Sequence, residues 1–213
     1  MASVTRPPAR RTTGDPELDR ELTALLDEVG VRRNRDLLFD ILAAGIGLAN
    51  GVPERLDLKI TSSTLQEMRE AFGVFAPYRD VPKVTIFGSA RTQPADPLYT
   101  QARDIARELA ERGWMVVTGA GPGIMAAGME GAGRDRSLGV SIRLPFEERA
   151  NDIIAGDEKL VAMKYFFTRK LMLMKESSGF VALPGGFGTL DETFELLTLH
   201  QTGKSVPAPV VLL

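Results

Sequence analysis

The chain has 213 residues, enough for one sizeable domain and an appendage. Its net charge of −2 gives no electrostatic reason to expect a nucleic-acid or membrane partner. It contains no cysteine and a single histidine, His200, which excludes disulfides and Cys-ligated zinc and disfavours a His-rich metal site. We therefore expect no metal site.

The N-terminal residues 1–14 are basic and lack the apolar segment of a secretory signal. We predict a disordered tail there. No apolar run in the chain is long enough to span a bilayer, so the expected location is cytoplasmic.

Residues 15–80 are predicted to form a helical extension with three helices. The first follows Asp15, a capping residue, and begins with Pro16. The second is expected to be capped by Asn34. The third is expected after a capping-box pattern at residues 63–66.

From residue 83 onward, short apolar runs alternate with amphipathic ones. The predicted strands are 84–87, 114–118, 138–144, 159–163, 179–183 and 209–213. The predicted helices are 97–112, 124–132, 165–178 and 190–202. This alternation predicts an α/β domain over 83–213, a Rossmann-like, doubly wound parallel sheet with helices on both faces. A buried parallel strand normally leads into another element, so we expect this domain to be C-terminally incomplete.

Three predicted strands end in turn-forming residues, at 88–90, 119–123 and 184–189. The carboxyl ends of parallel strands share one edge of the sheet, where ligands of such folds bind. Glycines let the backbone approach a ligand closely, and the start of a helix attracts anions. The three turns together favour a nucleotide or sugar-phosphate site.

A dinucleotide site is the main rival on the residues alone. Residues 119–123 resemble the start of a G-x-G-x-x-G fingerprint, but Ile124 breaks it. Where that fold carries an acid for the ribose, this chain has Arg143, which suits a 2′-phosphate, so NADP stays open. No P-loop pattern is present.

Several candidate residues have a plain structural interpretation. Glu192 either completes a capping-box pattern with Thr189, which is a structural role, or lies as an acid near a bound ribose. Arg169 and Lys170 are either a solvated basic pair or functional residues that bind phosphate and stabilise a leaving group. Phe166 and Phe167 are predicted core residues, or stack on a base.

Residues 184–192 read Pro-Gly-Gly-Phe-Gly-Thr-Leu-Asp-Glu, which resembles the PGGxGTxxE signature of the LOG (Lonely Guy) family. Thr168-Arg169-Lys170 and the turns at 87–90 and 119–125 resemble other motifs of that family. Its members are cytokinin riboside 5′-monophosphate phosphoribohydrolases, often mislabelled as lysine decarboxylases. The resemblance covers residues 83–213. The extension at 15–80 resembles that of longer bacterial members, some of which are nucleotide 5′-monophosphate nucleosidases.

The resemblance implies hydrolysis of the N-glycosidic bond of a cytokinin riboside monophosphate or of AMP, giving free base and ribose 5-phosphate. It implies a catalytic pair, Arg169 and Glu192, no cofactor, and a homodimer or higher homo-oligomer. The implied substrate- and phosphate-binding residues are Ser89, Gly119, Gly121, Gly123, Lys170, Gly185, Gly186, Gly188 and Thr189.

The sequence leaves the base preference and the alternative to catalysis open. Many small members carry Met-His where this chain has Phe166-Phe167, so the base preference is undetermined. A non-catalytic nucleotide or cofactor carrier on the same fold is the alternative function.

Overall fold

The computed structural model describes residues 12–144 and 150–213, which form two compact units that divide between Thr61 and Ser62. Most of the predicted disordered tail, residues 1–11, lies outside the described residues. Within its last residues, the Thr13 N–H donates to Asp19 Oδ1 at 2.9 Å.

The first unit contains helices α1 (Pro16–Glu28) and α2 (Arg35–Asn50) and the start of α3 (Arg55–Phe75). Asp15 caps α1 as predicted, because its carboxylate accepts hydrogen bonds from the N–H groups of Glu17 and Leu18. Buried apolar side chains join α1 to α2: Leu22, Leu26, Phe39 and Ala43.

Two details of this region differ from the prediction. Asn34 precedes α2 with a φ of 51° and makes no side-chain capping hydrogen bond. Helix α3 begins well before the capping-box pattern, which lies inside it. Asp57 stabilises this earlier start of α3, because its carboxylate accepts a hydrogen bond from the Glu54 N–H at 3.0 Å.

The second unit consists of alternating strands and helices, as predicted. Its strands are β1 (Lys83–Phe87), β2 (Met115–Thr118), β3 (Ser137–Ile142), β4 (Leu160–Met163), β5 (Gly179–Ala182) and β6 (Val210–Leu212). Its helices, after the C-terminal part of α3, are α4 (Pro97–Glu111), α5 (Ile124–Ala132), α6 (Phe166–Lys175) and α7 (Phe187–Gln201).

The six strands form one parallel sheet in the order β4-β3-β2-β1-β5-β6. The chain moves outward from β1 to β4 and then returns to β5, on the other side of β1. The predicted α/β, Rossmann-like, doubly wound sheet is therefore confirmed. Its winding direction reverses between β1 and β5, the place where such sheets open a ligand crevice.

Helices cover both faces of the sheet. One apolar core joins the strands to α3, α6 and α7 through residues such as Phe75, Leu173 and Leu196. The other joins them to α4 and α5 through residues such as Ala106 and Ile124. The central strands are apolar along their length because both of their faces are buried. Of the helices in the described part of the chain, none is long and apolar enough to cross a membrane.

Candidate functional site

The three turns meet at the carboxyl edge of the sheet. The Ser89 N–H after β1 donates to the Pro184 carbonyl after β5 at 3.2 Å, and the Ile124 N–H after β2 donates to the Ser89 carbonyl at 3.0 Å. Gly123 has a φ of +66°, and a Cβ there would lie 2.3 Å from the Ser89 carbonyl oxygen. Only glycine fits this position, because the turns are joined backbone to backbone.

A cleft of about 660 Å³ lies over this edge. Seven of the predicted site residues line it: Ser89, Gly119, Arg169, Gly186, Gly188, Thr189 and Glu192. An adjoining cleft of about 630 Å³ is lined by Gly121 and Arg143, and it shares Arg169 with the first. Arg143 there donates to the Ala162 carbonyl at 2.9 Å.

Arg169 and Glu192 form a buried ion pair at the wall of the cleft. Arg169 Nη1 lies 2.6 Å from Glu192 Oε1, and the two side chains are 11% and 10% exposed. Arg169 Nε also donates to the Val140 carbonyl at 3.0 Å, which fixes the guanidinium against β3. Burial raises the pKa of Glu192 above 4.5, and the positive charge of Arg169 opposes that rise.

The capping-box interpretation of Glu192 is wrong. Helix α7 begins at Phe187, so Thr189 lies inside its first turn and is not the capping residue. The Glu192 carboxylate points to Arg169 instead.

The glycines of the site have two different physical roles. A Cβ on Gly119 would lie 2.0 Å from Arg169 Nη2, and one on Gly185 would lie 2.2 Å from Thr189 Oγ1. These two glycines make room for side chains of the protein itself. Gly186 and Gly188 have no atom within 4 Å of a Cβ position, so their space is open to a ligand.

The first turn of α7 is open to an anion. Its N-cap residue, Gly186, carries no side chain, and among the described residues no side chain caps it. Free N–H groups and the positive end of the helix dipole favour phosphate at this position. Arg91 lines the same cleft and is exposed, and its N–H donates to Ser89 Oγ at 3.1 Å. Arg91 is a cleft residue that no sequence motif indicated, although its position directly after the first turn was a usable signal.

Lys170 contacts α7. Its Nζ lies 2.5 Å from Glu195 Oε2 and 3.2 Å from Asp191 Oδ2, and these hydrogen bonds raise the pKa of Lys170. Lys170, Gly123 and Gly185 are absent from the described linings of both clefts, so their direct role in substrate binding stays a prediction.

The prediction that Phe166 and Phe167 are core residues is wrong. They are 51% and 52% exposed, since they begin α6 at its exposed end. Phe166 lines the main cleft, and Phe167 stacks on Tyr165 with ring centroids 5.5 Å apart. Within residues 12–144 and 150–213, no group of three or more His, Asp or Glu side chains is arranged to hold a metal ion.

Comparison with known proteins shows similarity in the C-terminal part of the chain. The sequence model of the family described as "Possible lysine decarboxylase" matches residues 122–213. The probable cytokinin riboside 5′-monophosphate phosphoribohydrolase LOG6 of Arabidopsis thaliana is 34% identical over 106 residues, covering 48% of this chain and 51% of the relative. The Arabidopsis thaliana enzyme LOG3, of the same name without "probable", is 31% identical over 125 residues, covering 57% of each chain. The chain is thus similar to LOG enzymes over part of its length, and the family model matches its C-terminal part.

The matched residues 122–213 contain both members of the buried ion pair, Arg169 and Glu192. The chain spans about half the length of the curated LOG relatives it matches. A solved structure, the molybdenum cofactor carrier protein of Chlamydomonas reinhardtii, aligns with a TM-score of 0.45 at 23% identity, covering 62% of this chain and 76% of that protein.

Proposed function

We propose that this protein hydrolyses the N-glycosidic bond of a nucleoside 5′-monophosphate, releasing the free base and ribose 5-phosphate. The observation that carries this proposal is the buried Arg169–Glu192 pair in the wall of a cleft that also contains the open start of α7. An anion site and a buried carboxylate in one cleft suit a substrate with a phosphate at one end and a developing positive charge nearby.

The 5′-phosphate binds at the start of α7 in this proposal. The space beside the Cα atoms of Gly186 and Gly188 is open, and Arg91 adds a cation at the cleft wall. Anchoring the phosphate orients the ribose against the ion pair, which lowers the entropic part of the barrier.

The reaction breaks the bond between C1′ and the base nitrogen, and its electron pair leaves with the base. The ribose then carries positive charge, as in glycoside hydrolysis, and the Glu192 carboxylate stabilises it. Water adds its oxygen to C1′, and its proton is transferred to the departing base. Arg169 stabilises the negative charge that develops on that base.

We propose AMP or a cytokinin riboside monophosphate as the substrate, on the strength of the relatives' names. Phe166 in the cleft offers an aromatic face on which a purine can stack. Cytoplasmic location and the absence of a cofactor stay predictions.

The test is a panel of nucleoside 5′-monophosphates and the matching nucleosides, each incubated with the protein and analysed by chromatography for free base. We expect base and ribose 5-phosphate in equal amounts from at least one monophosphate, and much less base from its nucleoside. Binding of a monophosphate without release of base would support the carrier alternative and contradict hydrolysis.

We also propose that the protein forms a homodimer or higher homo-oligomer. Helix α7 exposes four apolar side chains on one face, and their spacing of three and four residues is typical of a helix packing surface. They are Phe187, Leu190, Phe194 and Leu197. Phe187 also lines the cleft, so this surface adjoins the candidate site.

A further inference from the structure

Glu67 on α3 is a buried acid that contacts the start of the helix that carries Arg169. Glu67 is buried, with 6% of its surface exposed. Glu67 Oε1 accepts from the Lys164 N–H at 2.6 Å, and Glu67 Oε2 accepts from the Thr168 hydroxyl at 2.6 Å. The Thr168 oxygen also lies 2.8 Å from the Tyr165 carbonyl oxygen.

These contacts hold the residues on both sides of the N-cap position of α6. The N-cap residue of α6, Tyr165, makes no side-chain capping hydrogen bond. A carboxylate at a helix start is favoured by the helix dipole, and hydrogen bonds to a charged acceptor are the stronger kind. Glu67 therefore fixes both the entry and the first turn of α6.

Arg169 follows Thr168 directly, so the position of its backbone depends on that first turn. Thr168 is fully buried, and the Arg169 N–H donates to the Tyr165 carbonyl at 3.2 Å. Glu67 itself is not among the residues that line either cleft. Any effect of Glu67 on the reaction must therefore pass through α6.

We propose that Glu67 is a positioning residue for Arg169, holding the guanidinium in place against Glu192 through its contacts with Lys164 and Thr168. This inference rests on the proposed hydrolysis, in which Arg169 acts on the departing base. Glu67 precedes the family match at 122–213, so it is a contribution of the helical segment of this chain to the site.

The test compares Glu67→Ala with Glu67→Gln and with Glu70→Ala, an exposed acid on the same helix. Small displacements of catalytic groups cost up to about 100-fold in rate, so we expect Glu67→Ala to lower kcat about 10- to 100-fold. KM should change little, because the phosphate site on α7 is untouched. Glu67→Gln should retain most of the activity, since its amide oxygen accepts from Lys164 and its amide N–H donates to a reoriented Thr168 hydroxyl. Glu70→Ala should match the unaltered protein.

Thr168→Val removes the hydrogen bond between Thr168 and Glu67 by changing the other partner. It replaces Glu67→Ala in the test if that variant does not fold. Equal kcat values in Glu67→Ala and Glu70→Ala would overturn the positioning role while leaving the proposed hydrolysis standing. If Glu67→Ala does not fold, a kcat of Thr168→Val equal to that of the unaltered protein would overturn it in the same way.

Hydrogen exchange separates this inference from the proposed function. Amides of residues 164–170 should exchange faster in Glu67→Ala, or in Thr168→Val, than in Glu70→Ala. If the unaltered protein releases no base from any monophosphate, the proposed function fails, and the exchange comparison alone decides whether Glu67 holds the start of α6. Equal exchange rates would then reject it.

Discussion

The buried pair of Arg169 and Glu192 combines two opposite charges in a site that excludes much of the solvent. Such a pair is costly to desolvate, and it is retained in proteins only where geometry and extra hydrogen bonds compensate. Arg169 has such a bond to the Val140 carbonyl. A buried carboxylate held by one partner beside an open cleft is a feature expected of a reactive site.

The first prediction concerns the charge of Glu192. Glu192→Gln keeps the shape of the side chain but removes the negative charge that stabilises the ribose cation. We expect kcat to fall about 10²- to 10⁴-fold while AMP still binds. Base release by chromatography and AMP binding by calorimetry measure the two effects, with the exposed Glu108→Gln as the matched control. Full turnover by Glu192→Gln would exclude it as a catalytic residue.

The second prediction concerns the pH dependence of the reaction. The active form needs a Glu192 carboxylate, and burial raises the pKa of that carboxyl above 4.5. The kcat/KM of the reaction should therefore fall on the acid side at a higher pH than an ordinary glutamate would cause. The negative charge of Asp191 raises the pKa of Glu192 and the positive charge of Lys170 lowers it.

Asp191→Asn should thus move the acid limb of the kcat/KM profile, which reports the free protein, to lower pH, and Lys170→Met should move it to higher pH. The shift caused by Asp191→Asn should shrink in high salt, because the Asp191 side chain is 55% exposed. Shifts in the same direction for both variants would show that the limb does not report Glu192.

At the scale of secondary-structure elements, the site is formed by turns that are bonded to one another. The hydrogen bonds of Ser89 to Pro184 and Ile124 place the starts of α5 and α7 on one edge. Gly119 leaves room at this edge for the Arg169 side chain, whereas Gly188 leaves open space for a ligand. A Cβ added at Gly119 therefore tests the position of Arg169, and one added at Gly188 tests ligand binding.

The third prediction is that Gly188→Ala leaves the fold intact and weakens substrate binding. Gly188 lies in the first turn of α7, where alanine favours the helix and meets no atom within 4 Å. The added methyl group would occupy space that we assign to the phosphate. We expect an unchanged or higher melting temperature together with a raised KM for the monophosphate. An unchanged KM would place the phosphate elsewhere.

The fourth prediction is that Gly119→Ala lowers kcat by displacing Arg169. The new Cβ would start 2.0 Å from Arg169 Nη2, so the guanidinium must move away from its present position. The expected loss is about 10²-fold, similar to the loss of one electrostatic stabiliser. Steady-state kinetics measure it, and a kcat equal to that of the unaltered protein would show that the guanidinium position is not critical.

Sequence reasoning placed the strands well because strands buried on both faces have continuous apolar runs between turn residues. The predictions were wrong where a glycine sets the start of a helix, or where a residue distant in sequence binds the side chain. The glycines at 185–188 predict a turn with the helix beginning at Leu190, yet α7 starts at Phe187. Thr189 and Glu192 satisfy a local capping pattern, and only the three-dimensional approach of Arg169 shows that the carboxylate binds elsewhere. The contact between Glu67 and Thr168 joins residues far apart in sequence, so no local pattern indicates it.

At the scale of the whole molecule, the exposed apolar face of α7 needs an explanation. Phe187 is 92% exposed and Phe194 is 62% exposed, and both lie on the helix that carries Glu192. Contiguous exposed apolar surface of this kind indicates an interaction site. A second copy of the chain that packs there would also narrow the mouth of the cleft beside Phe187.

The fifth prediction tests that assembly. Phe194→Glu places a charge at the centre of the apolar face, and a buried unpaired charge is strongly unfavourable, so the homo-oligomer should dissociate. Sedimentation velocity should show the unaltered protein as a dimer or larger and Phe194→Glu as a monomer. Val206→Glu, at an exposed apolar position outside α7, is the control and should assemble normally. If the cleft depends on the partner copy, Phe194→Glu should also lose activity at low protein concentration and recover part of it as the concentration rises. A monomeric unaltered protein, or a Phe194→Glu variant that still assembles, would reject this face as the contact.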